Sequence, residues 1–137
     1  MTDMTDALVI STYGMRAQGE RTRVISENIA NASTGAISPE AEPYSRKVIT
    51  FENEMERARG FRTVQVEDIT DDRRDDFPLR FMPDHPGANE EGYVQMPNVN
   101  MLVEMNDMRE AQRSYEANLG MVEQSRSMIS RTVDLLR

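Results

Sequence analysis

A chain of 137 residues with one histidine, no cysteine and no tryptophan holds one ordinary domain, or a small domain with extensions, and excludes a large multidomain enzyme. Its 24 acidic against 16 basic side chains leave a formal charge of −8, which opposes the phosphate neutralisation that drives nucleic-acid binding. The missing cysteines remove disulfides, zinc–thiolate sites and thiol nucleophiles together, and 6% aromatic residues make a dense core unlike what this chain can build without a partner.

The amino terminus, MTDMTDALVIS, sets two aspartates before a short apolar run. A cleavable secretory signal needs a positive start and a longer apolar core, and no stretch approaches the ~18 consecutive apolar residues of a membrane helix. Neither a cleaved signal nor membrane insertion is expected. Positions 4, 8, 11, 15, 18, 22, 25, 29 and 32 step by four and three and read Met, Leu, Ser, Met, Gln, Thr, Ile, Ile, Ala. Such steps return to one face of a helix, so residues 1–35 are expected to form a first helical segment with Leu8, Met15, Ile25 and Ile29 on its seam. Arg16, Glu20, Arg23 and Glu27 alternate in sign and suit an exposed flank. Asn31, Ser33, Thr34 and Gly35 supply a stop.

Residues 36–97 change character: all six prolines fall there, and helical periodicity disappears. The runs VITF (48–51), TVQVEDI (63–69), FPLRF (77–81) and YVQM (93–96) read as strands separated by turns such as DDRRDD and PDHPGANEEG. The aspartates at 71, 72, 75 and 76 are expected at a solvated hairpin tip, because Arg73 and Arg74 cancel charge and the glycine and final glutamate of a calcium loop are missing. His85, in PDHPG, is expected to be a turn residue.

The last third carries the clearest pattern. From Met101 the series 101, 105, 108, 112, 115, 119, 122, 126, 129, 133, 136 alternates four and three. It places Met101, Met105, Met108, Tyr115, Leu119 and Val122 on one stripe, followed by Ile129, Val133 and Leu136, with only Gln112 and Arg126 breaking its apolar character. A helix over 98–137 is expected, capped by Asn98 or Asn100, with Glu104 in its first turn and Arg131 and Arg137 near its negative end. Both helices carry a second stripe: Ile10, Ala17 and Val24 on the first, Met121, Met128 and Leu135 on the second. A second stripe implies neighbours on another side, or a single wide apolar face. The expected fold is therefore mainly α with a small β middle domain (α+β), the terminal helices pairing as a coiled coil and the short strands inserted between them.

No site signature accompanies these seams. One histidine and no cysteine leave only carboxylates for a metal, nothing singles out a catalytic pair among 24 acids, and the glycines form no phosphate-cradling cluster. No catalytic, metal or cofactor residue is assigned. Function is expected to lie in contact with other proteins.

The residues also resemble the axial protein family of the bacterial flagellum. GMRAQGERTRVISENIAN (14–31) is similar to the amino-terminal signature of rod, hook and hook-associated proteins. HPGANEEGYVQMPNVNMLVEMNDMREAQRSYEANL (85–119), the closing RTVDLLR and PYSRKVITFEN (43–53) are more particular and resemble proximal-rod basal-body proteins. The resemblance implies a periplasmic helical tube whose inner wall is made of paired terminal helices, with the middle segment outside. It implies further copies of the chain, other proximal and distal rod proteins and the basal-body hook-complex junction protein as partners, and export through the flagellar type III apparatus. In that arrangement the Met-rich seam of 101–119 meets the chain's own first helix and the second stripes meet neighbours. The competing reading is a soluble helical-hairpin adaptor or chaperone.

Overall fold

In the computed structural model, which describes residues 2–57, 59–73 and 76–136, two long helices bracket four strands. The order is α1 (Thr2–Asn31), β1 (Lys47–Glu56), β2 (Phe61–Asp71), β3 (Leu79–Phe81), β4 (Tyr93–Gln95) and α2 (Met101–Leu135). The protein is α+β and mainly helical, and each of the four alternating runs overlaps a strand.

The helix ends follow from local chemistry. At the end of α1 the Asn31 side chain donates to the Glu27 carbonyl at 2.8 Å, and Thr34 N–H closes a turn on the Asn31 carbonyl at 3.0 Å. At the start of α2 the Asn100 carboxamide accepts from Leu102 N–H at 3.1 Å and Val103 N–H at 3.4 Å, satisfying amides that no helical carbonyl reaches. Asn100 is thus the cap, and Asn98 is engaged elsewhere. Arg137, expected to complement the far end of α2, lies outside the described residues.

β1 and β2 form one two-stranded sheet, β3 and β4 another. Thr50 Oγ1 donates to the Asp68 carbonyl at 3.3 Å and Thr63 Oγ1 to the Glu54 carbonyl at 3.4 Å, so β1 and β2 run antiparallel. Their connection closes with Gly60, at φ 77°, donating to the Glu56 carbonyl at 2.8 Å. The β3–β4 register pairs Leu79 with Gln95, Arg80 with Val94 and Phe81 with Tyr93. Asp71 and Asp76 are exposed as expected, but β2 and β3 belong to different sheets and do not form a hairpin, and Asp72 is not solvated, which corrects that part of the expectation. Asp72 is buried, because Arg46 compensates its charge. Arg74 and Asp75, on which part of that expectation fell, lie outside the described residues.

The chain forms two compact units. The first comprises Met1–Thr22, Ile49–Asp68 and Arg109–Arg137. Within it α1 and α2 run antiparallel: a side chain at Gly14 would press on Asn118, and Arg21 approaches Glu110 at 3.7 Å. The side chains buried here are small or polar, among them Ser11, Ala17, Ala111 and Ser125, with Val122. Small side chains let two helices approach closely, and apolar burial is correspondingly thin.

The second unit comprises Arg23–Val48 and Ile69–Met108. Here the loop after α1 leans on β4: Ala36 N–H donates to the Gln95 carbonyl at 3.0 Å, and Gly35 lies against Val94 and Met96. Gly87 carries no side chain because a Cβ would collide with the Ala36 carbonyl. His85 is the turn residue expected, its Nδ1 accepting from Gly87 N–H at 3.0 Å.

Candidate functional site

Two features of the chain are candidates for function: a polar clasp in the second unit and the open faces of α2. The clasp centres on Glu104, whose side chain is fully buried. Arg46, at the entry to β1, donates from Nε to Glu104 Oε1 at 2.5 Å and from Nη1 to Asp72 Oδ2 at 3.3 Å, with Asp107 at 3.9 Å from Nη2. Asn28, near the end of α1, donates to the other Glu104 oxygen at 3.2 Å and to the Lys47 carbonyl at 2.9 Å. Its own carbonyl oxygen accepts from Tyr44 OH at 2.8 Å and Lys47 N–H at 2.9 Å.

The backbone of Arg46 is fixed on both sides. Arg46 N–H donates to Asn98 Oδ1 at 2.8 Å, and Asp72 N–H donates to the Arg46 carbonyl at 2.6 Å. Asn98 Nδ2 completes the circuit to the Asp72 carbonyl at 2.6 Å. Burial by itself would lower the Arg46 pKa, but the hydrogen bond and charge of Glu104, followed by Asp72, outweigh it and hold the guanidinium above its ordinary value. Burial raises the Tyr44 hydroxyl, so it stays a protonated donor. At the margin, Lys47 Nζ binds Glu27 at 2.8 Å. A buried carboxylate with both oxygens satisfied is tolerable where an unpaired one is not.

Residue patterns did not bring this polar circuit together: Asn98 read as a helix cap and Asp72 as a solvated turn residue. Glu104 read as a carboxylate favoured by the helix dipole, and the PYSRK run entered only through resemblance. The available signal was the break at Glu104 in an otherwise apolar Met101–Met105 turn.

The expected seam is only partly covered. On α1, Ile25 is buried, and Leu8, Met15 and Ile29 are half-buried. On α2, Val122 is buried, Met108 and Ile129 are half-buried, and Met101, Met105, Tyr115, Leu119, Val133 and Leu136 are exposed. Gln112 and Arg126 are exposed as well. Of the second stripe, Ala17 and Val24 are buried, whereas Ile10, Met121, Met128 and Leu135 are exposed. Met101, Met105, Tyr115 and Leu119 of the Met-rich run are thus left open where the chain's own first helix was expected to cover them, although Tyr115 borders Gly19 and Thr22 of α1, and Ala17 and Val24, expected to meet neighbours, are buried within the chain. Close approach of the helices selects the small side chains of α2 for the inside and turns its large ones out. At ~100° per residue, Met101, Met105, Tyr115, Leu119 and Val133 fall on one side of the Val122 line. Val103, Met121, Met128 and Leu135 fall on the other.

Clefts open in each unit, that of the second lined by Glu42, Tyr44, Lys47, Asp71, Arg73 and Asp76 among others. One of about 280 Å³ in the first unit is lined by Tyr13, Arg16, Ala17 and Glu20 of α1 and Val64, Gln65 and Val66 of β2. Among the described residues no group of three or more His, Asp or Glu side chains could hold a metal ion. No helix of the described residues is long and apolar enough to cross a membrane.

The family model for the flagellar basal body rod FlgEFG protein C-terminal region matches residues 90–135. The chain is 44% identical over 137 residues to the flagellar basal-body rod protein FlgC of Agrobacterium fabrum, covering 100% of this chain and 98% of that relative. It belongs to the flagellar basal-body rod protein FlgC family. The FlgC proteins of Bacillus subtilis and Escherichia coli O6:H1 are 33% identical over 144 residues (94% of this chain, 95% of that relative) and 32% identical over 126 residues (92% and 92%). Membership makes the chain a structural protein of the flagellar basal-body rod, in a family that serves motility. The matched stretch 90–135 includes Asn98, Glu104 and Asp107 of the clasp and all of α2.

Proposed function

We propose that the chain is a proximal-rod subunit that transmits torque as packed helices and has no active site. The supporting observation is the pair of apolar flanks on α2. Leu119 is 38% exposed on one side of the Val122 line and Met121 is 50% exposed on the other, so one helix offers apolar surface to two neighbours at once. Segments 1–35 and 98–137 act as the helical core of the assembly, and 36–97 as its outer part. The neighbours are further copies of the chain, other flagellar rod proteins and the basal-body hook-complex junction protein. Delivery is by the flagellar export apparatus to a periplasmic rod. Methionine suits such a surface, because its unbranched thioether adapts to contacts that differ between non-identical neighbours.

Leu119→Asp and Met121→Asp test this reading. Both side chains are exposed, so the isolated variants should keep parental helicity and melting behaviour. In cells where they replace the parent, each should abolish rod incorporation and swimming, because a charge would be buried without a partner. Normal rods and normal swimming in L119D would end the assembly-surface assignment.

A further inference from the structure

Glu104 is the one side chain of the Met101–Met105 turn that is buried. Its neighbours Met101, Leu102, Val103 and Met105 are all exposed, Leu102 at 73% and Met105 at 45%. At ~100° per residue these four apolar side chains cover more than half of the helix circumference. Burial of hydrophobic surface therefore gives this turn no preferred direction, since it could turn about the helix axis and bury as much apolar area with a different face inward. A directional contact is needed to choose.

We infer that the Arg46–Glu104–Asn28 clasp sets the roll of the first turns of α2, residues 101–108, and so decides whether Met101 and Met105 or Leu102 and Val103 are presented for assembly. The inference rests on the proposed reading of the α2 flanks. Three observations support a positioning role. Arg46 is anchored through its own backbone to Asn98 and Asp72, so its guanidinium is a fixed reference rather than a mobile tether. The guanidinium fork reaches three carboxylates from different places: Glu104 and Asp107 on α2 and Asp72 after β2. Asn28 reads the same Glu104 from α1, which references the roll of α2 to the other helix. Buried ion pairs contribute little or nothing to stability compared with well-packed apolar residues, and their attested use is to fix register. Arg46, Asn28 and Glu104 are positioning residues by this assignment.

The test is the full-length Arg46→Met/Glu104→Leu double variant, with a single cysteine at Leu102 or at half-buried Met108 as the only thiol, since the chain has none of its own. In the parental background, maleimide should label Cys at 102 about tenfold faster than Cys at 108, following a difference in burial. In the double variant helicity and melting midpoint should be retained, the labelling ratio should approach unity, and rod incorporation should fall about tenfold, the effect of a contact worth ~1.4 kcal/mol. A parental labelling ratio, parental incorporation, or loss of incorporation only in step with loss of helicity overturns the inference. Should the double variant not fold, Arg46→Lys keeps the charge but loses the planar fork. It should fold with a reduced ratio and reduced incorporation, and parental values there overturn the inference equally. Failure of the assembly reading is seen separately, in Leu119→Asp.

Discussion

A Cβ placed on Gly14 would lie 2.9 Å from Nδ2 of Asn118, which is itself held by a 3.0 Å bond to the Ser114 carbonyl. A side chain at that point of α1 is accommodated only if the Asn118 carboxamide moves aside, at the expense of that bond. At Gly19 and Gly120 a Cβ would meet nothing within 4 Å. Gly19→Ala and Gly120→Ala should each stabilise the isolated chain by up to ~1 kcal/mol through helix propensity, while Gly14→Ala should not. Urea unfolding of the three variants distinguishes them, and a stabilised G14A would refute the close approach.

Ser125 is buried in the first unit and its Oγ has no hydrogen-bond partner. Alanine removes an unsatisfied hydroxyl and raises helix propensity with little change of volume. Ser125→Ala should stabilise by ~1 kcal/mol. An unchanged or lowered urea midpoint would show that the hydroxyl is satisfied in solution.

Asn28→Asp preserves shape in the clasp but turns a donor into a second carboxylate facing Glu104 and the Lys47 carbonyl. At neutral pH this should cost about 3 kcal/mol or more, as an uncompensated buried charge does. The new carboxyl gains a like-charged neighbour on folding, so its folded pKa is raised above its unfolded one. Its neutral form is then compatible with the fold below the unfolded value, and stability is lost as pH rises through the folded value. The deficit relative to the parent should shrink on acidification, which melting curves across pH 4 to 7 would show as converging midpoints.

The hydrogen bond from Lys47 holds the Glu27 carboxyl below its ordinary value of 4.5, and the same bond holds Lys47 above 10.5. A depressed carboxyl contributes stability that is present above 4.5 and lost as pH falls through its folded value. The raised ammonium contributes stability that is present below 10.5 and lost as pH rises through its folded value. Both groups lie at the surface, so the contribution is small and salt-sensitive. Glu27→Gln should flatten the acid limb of the stability profile at low ionic strength, and an unaltered limb would show that the pair contributes nothing there.

Periodicity made the two helices and four strands legible, because apolar side chains recur with the repeat of each element. It did not reveal which side of α2 faces in. Hydropathy ranks methionine above serine, yet Ser125 and Ala111 are buried while Met105 and Met121 are exposed. Intimate contact near Gly14 excludes large side chains, and hydropathy does not score size. The series 104, 111, 118, 125, spaced by seven and reading Glu, Ala, Asn, Ser, was the pattern to notice. The clasp was illegible for another reason: Asn28, Arg46, Asp72 and Glu104 are far apart in the chain and meet only through tertiary structure.

Turning methionines out and serines in has a consequence for the free subunit as a solute. With a formal charge of −8 and exposed apolar side chains along α2, it should behave as a patchy colloid. Long-range repulsion separates copies in dilute buffer, and salt contracts that repulsion to a range of ~8 Å at physiological ionic strength, within which the stripes can touch. Whether copies attract or repel one another is then fixed as much by the electrolyte as by the fold.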